Sequence, residues 1–211
     1  MEVKVLRVSR HLLNFRDQAL IFVCLLLGTA GVVYFGPLVT MYITPPTATA
    51  RSAIIKAPAA MPLARAVPTH IDIEKIGIST SVVPLGLKSN GTMYTPAVPE
   101  QTGWYKYSPT PGERGPSIIV GHVDSPRGPA VFWRLGELAP GDIISIARAD
   151  GTMARFRVSG IKVFDQNNFP TQEVYGNTTF AALRLITCSG TFNADSGHYS
   201  NNTVIFAELT K

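Results

Sequence analysis

Cysteine is nearly absent from this sequence: its 211 residues contain two, Cys24 and Cys188. Cys24 sits within an apolar N-terminal run, so a disulfide joining the two is implausible. Charged residues are scarce too, at 16%, with 19 Lys and Arg against 14 Asp and Glu for a net charge of +5. The basic residues are scattered, whereas nucleic-acid binders gather them on one face among aromatics, so no nucleic-acid partner is expected. A phosphate-cradling glycine loop and a Gly-x-Ser-x-Gly elbow are both missing, which argues against P-loop and serine-hydrolase chemistry. The paired Cys/His spacing of a tetrahedral metal site is missing as well, His198 being the only nearby addition to Cys188. Neither metal nor cofactor is expected.

What is present begins with apolar residues, 45% of the chain, distributed unevenly. From Ala19 to Ile43 there are 25 residues without a charge, which as helix would span ~37 Å, enough to cross a bilayer. Lys4, Arg7, Arg10 and Arg16 precede it against Glu2 and Asp17. That balance predicts a cytoplasmic N-terminal segment (1–18), a single transmembrane signal anchor (19–43) and an extracytoplasmic remainder. A cleaved signal peptide competes, because Ala48-Thr49-Ala50 resembles a cleavage site, but the apolar run exceeds a usual signal-peptide core. Residues 44–69 are interrupted by Pro45, Pro46, Pro58, Pro62 and Pro68 and read as an extended tether.

From His70 the texture changes to short alternating runs between Gly, Pro, Asn and Asp clusters, so 70–211 reads as a mainly β domain. Strands are expected at 70–74, 80–84, 117–122, 143–148, 153–164, 182–188 and 203–208. Seven or eight strands in this length suggest a closed barrel or a sandwich. Asp150-Gly151 between two alternating runs signals a hairpin. Helix is confined to one or two short turns, at 130–138 and after Pro170.

Cys188 ends the apolar run Ala181–Thr187 and is followed by Ser189-Gly190. It is either a small buried group or a thiol presented where a rigid strand opens. His122 follows Ser117–Gly121 in the same manner and has its own plain reading as a hydrogen-bonded surface group. Two such ends supplying Cys and His suit nucleophilic catalysis, with the imidazole raising the thiolate fraction and protonating a departing amine. Asp124, two residues on, is a candidate to orient the imidazole, or a plain turn carboxylate.

These blocks resemble the sortase family of cysteine transpeptidases, most closely its class E and class F branches. LITCSG (185–190) is similar to the last residues of the family's Thr-Leu-x-Thr-Cys signature, with Thr187 and Cys188 intact and Arg184 in place of the leading Thr. TGWYKYSPTPGERGPSIIVGHVDS (102–125) resembles the approach to the family's histidine, and VFWRLGEL and PGD follow in order. The resemblance implies a sortase-type eight-stranded β-barrel in which Cys188 attacks the Thr-Gly amide of a Leu-Pro-x-Thr-Gly-type sorting signal on a secreted protein. It further implies that His122 protonates the leaving amine. An amine on a peptidoglycan precursor or a pilin subunit would then resolve the thioacyl enzyme.

The departure concerns the family's arginine, found in a Tyr-Arg-Asp-Asn-like segment. Here that segment reads Tyr199-Ser200-Asn201-Asn202. Ser200 offers at most one neutral hydrogen bond to an oxyanion, and Thr187 is a further candidate for oxyanion or substrate contact. Arg184 shares a strand face with Cys188, though ~13 Å of strand separates their Cα atoms, and it serves equally as a plain polar residue. Two alternatives to the transpeptidase stay open: an inert sortase-like peptide-binding module and a cysteine hydrolase that only cleaves.

Overall fold

The structure, a computed structural model, describes residues 60–210. The expected cytoplasmic segment, the membrane span and most of the tether lie outside them. Among the described residues no helix is long and apolar enough to cross a membrane.

The described residues form ten strands: β1 (Pro68–Ile73), β2 (Ile78–Leu85), β3 (Thr102–Tyr105), β4 (Gly115–Gly121), β5 (Asp124–Ser125), β6 (Gly128–Pro129), β7 (Ile143–Arg148), β8 (Met153–Asp165), β9 (Ala181–Asn193) and β10 (His198–Leu209). Eight of them close a barrel in the order β1-β2-β3-β4-β9-β10-β8-β7, while β5 and β6 form a small separate pair. Neighbours are antiparallel except β2 with β3 and β4 with β9. The lone α-helix among these residues, α1 (Thr171–Tyr175), follows Pro170, which is the cap residue and not the first helical one. The stretch 130–138 yields a single 3-10 turn, Leu135–Glu137.

Alternation assigns the two faces of each strand. Ile71, Ile73, Ile119, Ile144, Ile146, Phe156, Leu183, Leu185 and Ile205 fill the interior together with Phe132 and Leu135. A second cluster, Ile118, Val120, Val174, Ile186 and Val204, lies on the opposite face of β4, β9 and β10, with Phe164, Phe169 and Phe206 packed on it. Strand β9 is therefore covered on both sides, and Ala181–Thr187 are all buried. Double coverage explains why that run is apolar without alternation.

Two departures from the sequence reading matter. β9 does not stop at Cys188 but continues to Asn193, paired with β10 as an exposed hairpin. Its continuation is polar because neither face is covered, and polar strands imitate loops in sequence. Residues 60–69, read as the end of the tether, lie on the barrel: the Leu63 N–H donates to Gly112 O at 2.8 Å, and the Ala66 N–H donates to Thr110 Oγ1 at 3.1 Å. The Asp150-Gly151 turn forms as expected, with Asp150 Oδ1 accepting from Thr152 N–H at 3.0 Å.

Candidate active site

The parallel pair β4 and β9 builds the site. Their ladder runs from Gly115↔Ala181 to Val120↔Ile186, and both chains leave it in the same direction. His122 and Cys188 each lie two residues beyond its last pair, on strands that in a sheet stand about 4.8 Å apart. Residues 184, 186 and 188 share a face, so Cys188 points away from the barrel interior, beyond Ile186. It is the first partly exposed residue of β9, the cover ending at Thr187.

Cys188 lies in a groove of about 220 Å³. Met93, Tyr94 and Thr95 wall one side, Val120 and Ile186 form the floor, Phe169 and Tyr175 close another side, and Gly121, Thr187 and Asn202 complete it. The walls are mostly apolar, and no lysine or arginine is among them. Thr187 is buried, and its Oγ1 has no hydrogen-bond partner.

Burial and charge disfavour the Cys188 thiolate. Burial pushes its pKa up, the Asp124 carboxylate pushes further, and a hydrogen bond from Gln166 acts the other way. Asp124 is occupied by the Tyr199 hydroxyl, which donates to its Oδ2. That bond raises the Tyr199 phenol to about 12. The His122 ring is held elsewhere, by Pro96 O at 2.8 Å from Nε2. A carbonyl only accepts, so Nε2 carries the hydrogen and Nδ1 keeps the lone pair in the neutral ring.

The candidates for a third group are dispersed. Arg184 is buried on the outer face, its guanidinium carbon 4.4 Å from the centroid of Phe206 and its Nη1 donating to Leu183 O at 3.1 Å. Burial lowers its pKa, offset by Glu208 and Glu173, and it does not line the groove. Ser200 lies where Gly190 and Thr191 oppose one residue, a β-bulge with Gly190 at φ +83°. Its Oγ accepts from Thr191 N–H at 3.0 Å and contacts Asn201. Among the described residues no cluster of His, Cys, Asp and Glu is arranged to hold a metal.

One polar group at the thiol was not singled out in the sequence. The carboxamide of Gln166 stands 3.9 Å from Cys188 Sγ and also donates towards Asn202 Oδ1 at 3.3 Å and Asn201 O at 3.4 Å. It opens a short Gln-Asn-Asn 3-10 turn without motif or period, and the pairing Asp165↔Asn201 brings that turn over the end of β10.

The sequence profile of the sortase domain matches residues 71–210. The chain belongs to the sortase family. Sortases are cysteine transpeptidases, and solved sortase structures share this barrel. They include a Clostridium perfringens sortase D5 transpeptidase, 22% identical, covering 69% of this chain and 79% of that one at a TM-score of 0.52. Sortase A from Corynebacterium diphtheriae is 20% identical, covering 70% of this chain and 62% of that one at 0.52. Sortase C-1 from Actinomyces oris is 20% identical, covering 68% and 71% at 0.53. At such identities the likeness concerns the fold. No curated protein matches the chain significantly.

Proposed function

We propose that this sortase is a membrane-anchored transpeptidase of the class E/F kind, with Cys188 as nucleophile and His122 as acid and base. Its substrate is a secreted protein bearing a Leu-Pro-x-Thr-Gly-type signal, and its acceptor an amine on a peptidoglycan precursor or a pilin subunit. The observation that supports this reading best is the thiol in an apolar groove whose floor strands run parallel to Cys188 and His122. Val120, Ile186 and Phe169 suit the leucine and proline of such a signal. The uncharged run 19–43 and the basic residues before it support a cytoplasmic N-terminus with the barrel outside.

In the acylation step Cys188 Sγ bonds to the Thr carbonyl carbon as its proton passes to His122 Nδ1. The tetrahedral intermediate collapses, the C–N bond breaks and His122 returns the proton to the leaving glycine amine. The acceptor amine then repeats the sequence in reverse.

A second reading, an inert peptide-binding module, draws on the absence of any cation from the groove walls. The full chain in detergent, given a sorting-signal peptide and an amine, separates the two. Intact mass should show a thioester adduct that Cys188→Ala abolishes, and amine should convert it to ligated product. Binding without adduct would sink the transpeptidase reading, and hydrolysis unaffected by amine would replace it with a hydrolase.

A further inference from the structure

Attack on an amide places negative charge on the carbonyl oxygen, and a preorganised donor is usually the largest single source of rate at such a step. Arginine does not line this groove. Ser200 Oγ is engaged in the bulge, and Arg184 lies buried against Phe206. The group that is aimed at the sulfur is the Gln166 amide, 3.9 Å from Sγ.

We infer that Gln166 is a catalytic residue of this site, its carboxamide serving as the neutral oxyanion donor for acyl transfer at Cys188. Three observations carry this. The amide nitrogen stands 3.9 Å from the sulfur, and the oxygen on a carbon bonded to that sulfur falls within its range. Its present bonds, 3.3 Å to Asn202 Oδ1 and 3.4 Å to Asn201 O, are long against the usual 2.9–3.0 Å, so an oxyanion is the better acceptor. Its position is fixed, because Asp165 pairs with Asn201 on β10 and accepts from Asn167 N–H at 2.7 Å. Asn202, opposite Cys188 in the β9–β10 ladder, orients the amide.

The inference rests on the acyl-transfer reading but not on the sorting signal, and the test keeps them apart. The full chain carrying Cys24→Ser, which leaves Cys188 as its one thiol, is assayed with two thiol reagents. A p-nitrophenyl ester acylates through an oxyanion, whereas iodoacetamide alkylates by displacement without one. Both are followed across pH so that rates are compared for the ionised thiol. Gln166→Met, which keeps length and loses the donor, should slow acylation roughly 100-fold or more and leave thiolate alkylation within about twofold. Gln166→Glu, with the same shape and no donor, should slow acylation at least as much. Acylation unchanged in both variants overturns the inference. A parallel fall in the two reactions also overturns it, since that marks a residue holding the thiol and not the oxyanion. A wild-type protein alkylated readily yet inert to the ester overturns it as well. Failure of the sorting-signal peptide alone, with the ester pattern intact, removes the proposed substrate and leaves Gln166 in its role.

Discussion

Cys188 holds its proton more tightly than an ordinary thiol, because burial and the Asp124 carboxylate both disfavour the thiolate and no neighbouring cation offsets them. A free thiol of pKa ~8.5 is already only a few per cent ionised near neutrality. A resting thiolate is thus disfavoured at this site, and in the proposed acylation the proton leaves as the carbon–sulfur bond forms. In the proposed mechanism His122 would take that proton at Nδ1, since Nε2 donates to Pro96 O. Asp124→Asn should lower the thiol pKa, because it removes the charge while its amide oxygen still accepts from Tyr199. At fixed pH below the inflection, iodoacetamide should modify the variant severalfold faster than wild type. An unchanged or higher inflection in the alkylation profile would exclude Asp124 as the perturbing charge.

At the scale of elements, the hairpin beyond Cys188 turns on Gly190. An added Cβ there would collide with Ser200 Oγ and the Asn201 side chain, and φ +83° disfavours any L side chain. Gly190→Ala should cost ~1–2 kcal/mol from the left-handed backbone alone, visible as a lower Tm. It should also slow acylation, since Asn201 and Asn202 support Gln166. A variant with lower Tm and wild-type acylation would show the hairpin to be scaffolding only. Much of this architecture was legible beforehand. Strands β7 and β8 alternate because one face meets the core and the other meets water, and Asp150-Gly151 marks their turn. β3 escaped because Thr102, Gly103 and Trp104 are all buried, which erases the period. The polar half of β9 escaped because its order comes from pairing with β10 and not from burial. Cys188 and His122 announced themselves as strand-end residues within a long family resemblance. Gln166 could not, since a carboxamide in a short polar 3-10 turn has no local signal and its relevance arises from contacts 22 to 36 residues away.

For the whole molecule, the barrel's stability begins before the strand that opens it. Leu63 packs on the core and the Ala66 side chain is buried. Arg148, itself buried, donates to Ala64 O. Removing residues 1–67 should therefore destabilise the barrel relative to removing 1–59, by about 2 kcal/mol or more for the lost burial and the lost Arg148–Ala64 hydrogen bond, visible as a lower Tm. Equal melting of the two truncations would return 60–67 to the role of spacer. The Pro96 carbonyl has a consequence of another kind. It belongs to the same short segment as Met93, Tyr94 and Thr95, which line the groove, so the groove's edge and the imidazole's tilt are set by one continuous piece of backbone. A ligand that shifts Thr95 reaches the His122 ring through a single peptide bond, so in the proposed mechanism proton delivery would report on whether the groove is filled.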